Sequence, residues 1–191
     1  MTTYKVGYIV GSLARGSINR KLAKALVRLA PAGLELGEIP FRDLPLYSYD
    51  YDADYPEPAR AFKRAIEASD AILFVTPEYN RSIPGGLKNA IDWASRPYGT
   101  NSFTRKPSTI IGTSPGKIGT AVAQQQLRGV LAFCDSPQMT SPEAYIQFTK
   151  GLIDDDGAVS DESTRQFLRK FMQEFHDFVA MVVTCLKSSP N

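Results

Sequence analysis

Apolar residues along this chain follow two periods, and stretches of the two alternate. Tyr4–Val10, Leu34–Ile39, Ala71–Val75 and Pro107–Gly112 are short, partly β-branched runs bounded by Gly, Pro or Asp, and they read as strands. A fifth strand is expected within Pro142–Phe148. Between these runs the apolar positions recur every three or four residues, as on one face of a helix. Leu22, Leu26 and Leu29 form one such face, with Asn19 as the expected cap and Pro31 and Gly33 as the stop. Phe62, Ala65 and Ile66 mark a second helix over Ala59–Ser69, and a third begins near Leu87, after Pro84-Gly85-Gly86. Leu127, Val130, Leu131 and Cys134 share a face of the fourth. The last runs from about Ser160, with Leu168, Phe171, Phe175, Phe178 and Val182 at helical spacing.

Strands that alternate with helices imply a parallel sheet covered on both faces. Five of each match an α/β, flavodoxin-like three-layer sandwich with strand order 2-1-3-4-5. Nothing in composition, repeats or linkers divides the chain, so residues 1–191 are expected to form one domain. The segment from Pro40 to Pro58, rich in Pro, Asp and Tyr, is a long connection whose place is either the rim of a site or a cover for the sheet edge.

Charge narrows the partners. A net charge of +2 without any run of like charges does not suit nucleic acid or an anionic membrane surface. Cys134 and Cys185 are neither a disulfide framework nor part of a CxxC or Cys/His cluster, and no metal-ligand spacing is present. No apolar stretch is long enough to span a bilayer, and the first residues lack a signal-peptide core, so a cytoplasmic location is expected.

The chemistry concentrates in loops. Ala71–Val75 runs straight into Thr76-Pro77-Glu78-Tyr79-Asn80-Arg81-Ser82, which brings a carboxylate, a phenol, an amide, a guanidinium and a hydroxyl to the carboxyl end of a strand. In an open α/β sheet, that is where ligands sit. The first strand leads into Gly11-Ser12-Leu13-Ala14-Arg15-Gly16-Ser17-Ile18-Asn19. This is neither a P-loop nor a GxGxxG fingerprint. It supplies Ser12, Ser17 and Asn19 as neutral donors, with Arg15, at a helix N-terminus, and that set suits a terminal phosphate monoester.

Ser12, Ser17 and Asn19, together with the Glu78-Tyr79-Asn80 loop, make the chain resemble the NAD(P)H-dependent FMN reductases, flavodoxin-like flavoproteins that include quinone, chromate and azo-dye reductases. The long motif Pro77–Trp93 carries the likeness most specifically, and it continues through Gln124, Leu127 and Arg128 and Asp161-Glu162-x-Thr164-Arg165. Two positions depart from the family pattern. Ala14 stands where an Arg is usual, with Arg15 one place later, and Val122 replaces the Arg of a Gly-Gly-x-Arg pattern.

The resemblance implies FMN as cofactor, NADPH or NADH as hydride donor and a quinone-like small molecule as acceptor, with chromate, azo or nitro compounds as incidental ones. It implies FMN contacts from Ser12, Arg15, Ser17, Ile18 and Asn19 at the phosphate, and from Pro77, Glu78, Tyr79, Asn80, Arg81 and Ser82 along the ring. Ser114, Pro115 and Gly116 would lie at the pyrimidine end, with Lys117 last in rank. It also implies a homodimer or homotetramer to which Leu87–Trp93 and Gln124–Arg128 contribute. The cofactor carries the reaction, so no catalytic side chain is required. Ser114–Lys117 is expected to open a helix whose N–H groups stabilise charge on the reduced ring. Tyr79 either stacks near the ring or packs. Trp93 is core or a subunit contact rather than a substrate platform, and His176 is structural. The competing readings are a one-electron carrier, which would be expected to be strongly acidic, and a non-catalytic phosphate-ligand module on the same fold.

Overall fold

A computed structural model describes residues 2–188. Its strands are β1 (Tyr4–Val10), β2 (Leu34–Glu38), β3 (Ala71–Val75), β4 (Ser108–Ser114) and β5 (Tyr145–Gln147). Its α-helices are α1 (Ile18–Leu29), α2 (Glu57–Glu67), α3 (Gly85–Ser95), α4 (Ala121–Phe133) and α5 (Glu162–Ser188). The five strands form one parallel sheet in the order β2-β1-β3-β4-β5, the expected flavodoxin-like topology.

Strand periodicity builds the three layers. Side chains alternate between sheet faces, so Leu73 and Val75 point to one side of β3 while Ile72 and Phe74 point to the other. On the first side they meet Leu22 and Leu26 of α1 and Leu168, Phe171 and Phe175 of α5. On the second they meet Phe62 and Ile66 of α2, Leu87 and Ile91 of α3, and Leu127 and Leu131 of α4. A strand with helices on both sides has no solvent face, which is why every residue of β3 is buried.

Several boundaries differ from expectation. The cap of α1 is Ser17, whose Oγ accepts the Arg20 N–H, and not Asn19, which is already inside the helix. Helix α2 starts at Glu57 rather than Ala59, because the first turn tolerates Pro58. Helix α3 starts at Gly85. Strand β4 runs two residues past Gly112, and α4 begins at Ala121, so Ser114–Lys117 ends a strand and enters a turn instead of opening a helix. Along α5, Met172 and Val179 are buried, whereas Phe178 and Val182 are only half-buried.

The tyrosine-rich connection covers α3. Tyr47, Tyr51 and Tyr55 place their rings 5.1, 5.5 and 4.9 Å from the Trp93 ring, and Trp93 Nε1 donates to the Pro45 carbonyl at 2.7 Å. Desolvation, helped by the hydrogen bond to Asp52, pushes the Tyr47 phenol up to about 12. Leu87, Ile91 and Trp93 are fully buried within the chain, so these apolar side chains of the segment serve its own core and are not open to a second subunit. His176 packs edge-on against Tyr4 and pairs with Asp177 at 2.8 Å, a structural place.

Candidate active site at the carboxyl edge of the sheet

Strands β1 and β3 are neighbours, yet β1 connects outward to β2 on one side and β3 lies on the other. The chain therefore reverses its direction of travel across the sheet here, between the loops after β1 and β3, the place where open α/β sheets bind ligands. The loop after β4 leaves the same edge.

The first loop offers donors. Ser12 and Ser17 are buried, and each hydroxyl oxygen accepts only one long backbone N–H contact of 3.4 Å, from Ala14 and Arg20 respectively. Neither hydroxyl proton finds an acceptor among the described residues. The N–H groups of Ile18 and Asn19, at the positive end of α1, find none either, and no acidic residue stands in the first helical turn. Ala14 and Arg15 are exposed. A second cation, which sequence reasoning missed, reaches the loop from beyond β2: the Arg42 guanidinium donates to the Leu13 carbonyl. No local motif announces Arg42, because it lies 29 residues from its partner.

The Asn19 side chain is committed elsewhere. Strand β3 ends at Val75, opposite Ile111, so Thr113 lies beyond the β3–β4 ladder. The Asn19 amide fills that gap as a strand peptide would, donating Nδ2 to the Thr113 carbonyl at 2.9 Å and accepting the Thr113 N–H at 3.0 Å. Only its backbone N–H remains for a ligand.

The second loop is a tight hairpin. Tyr79 and Ser82 exchange backbone hydrogen bonds of 3.0 and 2.9 Å around Asn80 and Arg81, whose φ values are 52° and 61°. Two central residues at positive φ make a type I′ geometry, which Asn tolerates and Arg adopts at a cost. Glu78 leaves 7% of its side chain exposed, and it is not a free acid. Its Oε2 accepts the N–H groups of Val122 and Ala123 at 3.0 and 3.1 Å, and its Oε1 faces the Arg81 guanidinium at 3.0 Å. Gln126, one turn along α4 from Val122, donates to the Arg81 carbonyl at 2.9 Å and accepts the Ser82 hydroxyl at 2.6 Å. Gln126 is a second residue that sequence reasoning passed over, although its spacing from Val122 placed both on one helix face.

These contacts correct one expectation. The first free N–H groups of α4 point at Glu78, so they are not presented to a ligand. Pro77 is buried, while Tyr79 and Asn80 are exposed and the Asn80 side chain has no partner among the described residues. In the third loop the Ser114 hydroxyl accepts the Gly116 N–H at 3.1 Å, and Pro115, Gly116 and Lys117 are exposed. Gly112 underlies the junction: a Cβ there would stand 2.1 Å from both the Thr76 carbonyl and the Thr120 hydroxyl. The Val122 substitution removes a cation, but the backbone N–H of the same residue binds Glu78.

The loops thus offer free donors for an anion at the α1 N-terminus, next to a hairpin held rigid by α4. Residues 4–151 match the family of NADPH-dependent FMN reductases. The chain belongs to that family. A 2-hydroxy-1,4-benzoquinone reductase of a Burkholderia species is 51% identical over 175 residues, covering 92% of this chain and 96% of that protein. A quinone reductase of Pseudomonas putida is 48% identical over 179 residues, covering 93% and 96%. Among solved structures, the flavoenzyme NAD(P)H:(acceptor) oxidoreductase FerB of Paracoccus denitrificans aligns with a TM-score of 0.90 at 48% identity, over 94% of this chain and 98% of that one.

Proposed function

We propose that this family member is an FMN-dependent NAD(P)H oxidoreductase that delivers two electrons to a quinone-like acceptor. The carrying observation is the donor set at the α1 N-terminus. Two buried hydroxyls with protons to give, two N–H groups without an acceptor among the described residues and no acidic residue in the first turn of α1 suit a phosphate monoester and would repel a cation. When bound, FMN supplies hydride chemistry between NADPH or NADH and the acceptor.

The residues divide the remaining work. Ser12, Ser17 and the N–H groups of Ile18 and Asn19 hold the phosphate, with Arg15 supplying exposed positive charge. Pro77 and the hairpin from Glu78 to Ser82 form a wall for the ring, Asn80 offers an unpaired amide to its polar edge, and exposed Tyr79 borders the open side. Ser114, Pro115, Gly116 and Lys117 border the pyrimidine end. None of these side chains needs to move a proton, because water reaches the exposed edge of the site. Such an open face would accept chromate, azo or nitro compounds as well as quinones.

The working enzyme is read as a single domain over residues 1–191, cytoplasmic, and a homodimer or homotetramer. Phe133 and Leu46 support the last point, since each large apolar side chain is more than four-fifths exposed. A flavodoxin-like one-electron carrier is not favoured, because the relatives that are 51% and 48% identical over nearly the whole chain are quinone reductases.

An anaerobic titration tests the proposal. FMN-loaded protein should lose its visible flavin absorbance on adding NADPH or NADH and regain it rapidly with benzoquinone. Flavin that binds but is neither reduced by the nicotinamide nor reoxidised by the quinone would refute the activity, and failure to bind FMN would refute the site.

A further inference from the structure

The charge of Glu78 has no part in the chemistry above, although it stands beside the proposed ring site and is almost fully withdrawn from water. We propose that Glu78 is a positioning residue that clamps the flavin-facing hairpin onto α4 and withholds the positive end of that helix from the ring. The inference rests on the FMN site proposed above.

Geometry carries the first half. The hairpin keeps an arginine at φ 61°, a conformation that needs support from its surroundings. Support comes from α4: Glu78 takes two of its first free N–H groups, and Gln126 grips the Arg81 carbonyl and the Ser82 hydroxyl one turn later. Glu78 and Gln126 bracket the two residues at positive φ, so the hairpin can change shape only by breaking bonds to the helix. The other carboxylate oxygen of Glu78 accepts from the Arg81 guanidinium at 3.0 Å.

Electrostatics carries the second half. An α-helix presents about half a positive charge at its N-terminus. Left open, the end of α4 would favour the reduced, more negative ring and make the bound flavin easier to reduce. A carboxylate seated on that end offsets its field. The expected consequence is a flavin held at lower potential, and so a stronger reductant toward the acceptor, than an open helix end would allow.

Glu78→Gln and Glu78→Ala separate the two halves. In Glu78→Gln the amide oxygen can still accept both N–H groups but the charge is gone. In Glu78→Ala both are lost. Hydrogen exchange on the flavin-free full chain should leave the Val122 and Ala123 amides near wild type in Glu78→Gln and accelerate them about tenfold or more in Glu78→Ala, the loss of a charge-assisted hydrogen bond. The midpoint potential of bound FMN should rise in Glu78→Gln. Gln126→Ala, which spares the carboxylate, should loosen the Ser82 amide while the Val122 and Ala123 amides stay protected, and it keeps the clamp testable if Glu78→Ala does not fold. Unchanged exchange at Val122 and Ala123 in a folded Glu78→Ala, or at Ser82 in Gln126→Ala, would overturn the clamp. An unchanged potential in Glu78→Gln would overturn the electrostatic role. Wild-type protein that takes up no FMN would instead refute the cofactor site, while the exchange measurement would still judge the clamp.

Discussion

The Gly11–Asn19 loop and the Glu78–Ser82 hairpin leave adjacent strands at the same sheet edge, yet they dispose of their polar groups in opposite ways. In the first, hydroxyl protons and N–H groups are left without protein acceptors. In the second, the carboxylate, guanidinium, hydroxyl and central carbonyl are already satisfied by one another and by α4. A loop with free donors is a receptor for charge, whereas a loop with its bonds made is a rigid surface. Polar residues in a loop after a strand therefore do not carry one meaning: what matters is which of them still has a bond to give.

The comparison can be broken at several points. The largest effects are expected at the packed end of β4, which lies beside both loops. Gly112→Ala should destabilise the fold by about 3 kcal/mol in urea unfolding, because the backbone oxygen of Thr76, 2.1 Å from the new Cβ, cannot swing away. Asn19→Ala strands the buried N–H and carbonyl of Thr113 and should cost about 2 kcal/mol by the same measurement. If Asn19→Ala impaired only FMN affinity and left unfolding unchanged, the Asn19 amide would not be what holds Thr113 at the end of β4. Ser17→Ala acts on the open side and should weaken FMN binding by about 1–2 kcal/mol, read as a rise in the flavin dissociation constant. An unchanged constant would remove Ser17 from the phosphate site. Arg81→Gly relieves the left-handed backbone at φ 61° but leaves the nearly buried Glu78 carboxylate without its cation; the two effects oppose, and the unfolding free energy should change by less than about 1 kcal/mol. The smallest effect belongs to Gly16→Ala: nothing lies within 4 Å of its Cβ position, and unfolding should move by no more than about 0.5 kcal/mol. A matching pair of losses at Gly16 and Gly112 would erase the contrast between the open first loop and the packed end of β4 beside it.

The fold was largely legible because its signals are local. Ala71–Val75 could be read as a buried strand from five consecutive apolar residues, and Leu22, Leu26, Phe171 and Phe175 as inward faces from their spacing. Errors fell at element ends, where Pro58 could sit inside a helix and Ser114 inside a strand without contradicting any nearby residue. The candidate site was legible as a set of loops. The partner of each side chain was not: Asn19 and Thr113 are 94 residues apart, Glu78 and Ala123 are 45 apart, and Arg42 meets Leu13 across 29.

Residue periodicity and turn chemistry thus determined the strands, the helices, the parallel sheet and the two motif-bearing loops, since each depends on neighbours a few positions away. Only the tertiary structure decided that Trp93 is wrapped by tyrosines, that Asn19 completes the end of β4, and that the Glu78 carboxylate takes the first N–H groups of α4. The physical reason is the same for all three. A polar or aromatic side chain settles on whatever unsatisfied group or apolar surface the folded chain brings within reach, and the packing of the whole sheet sets that distance.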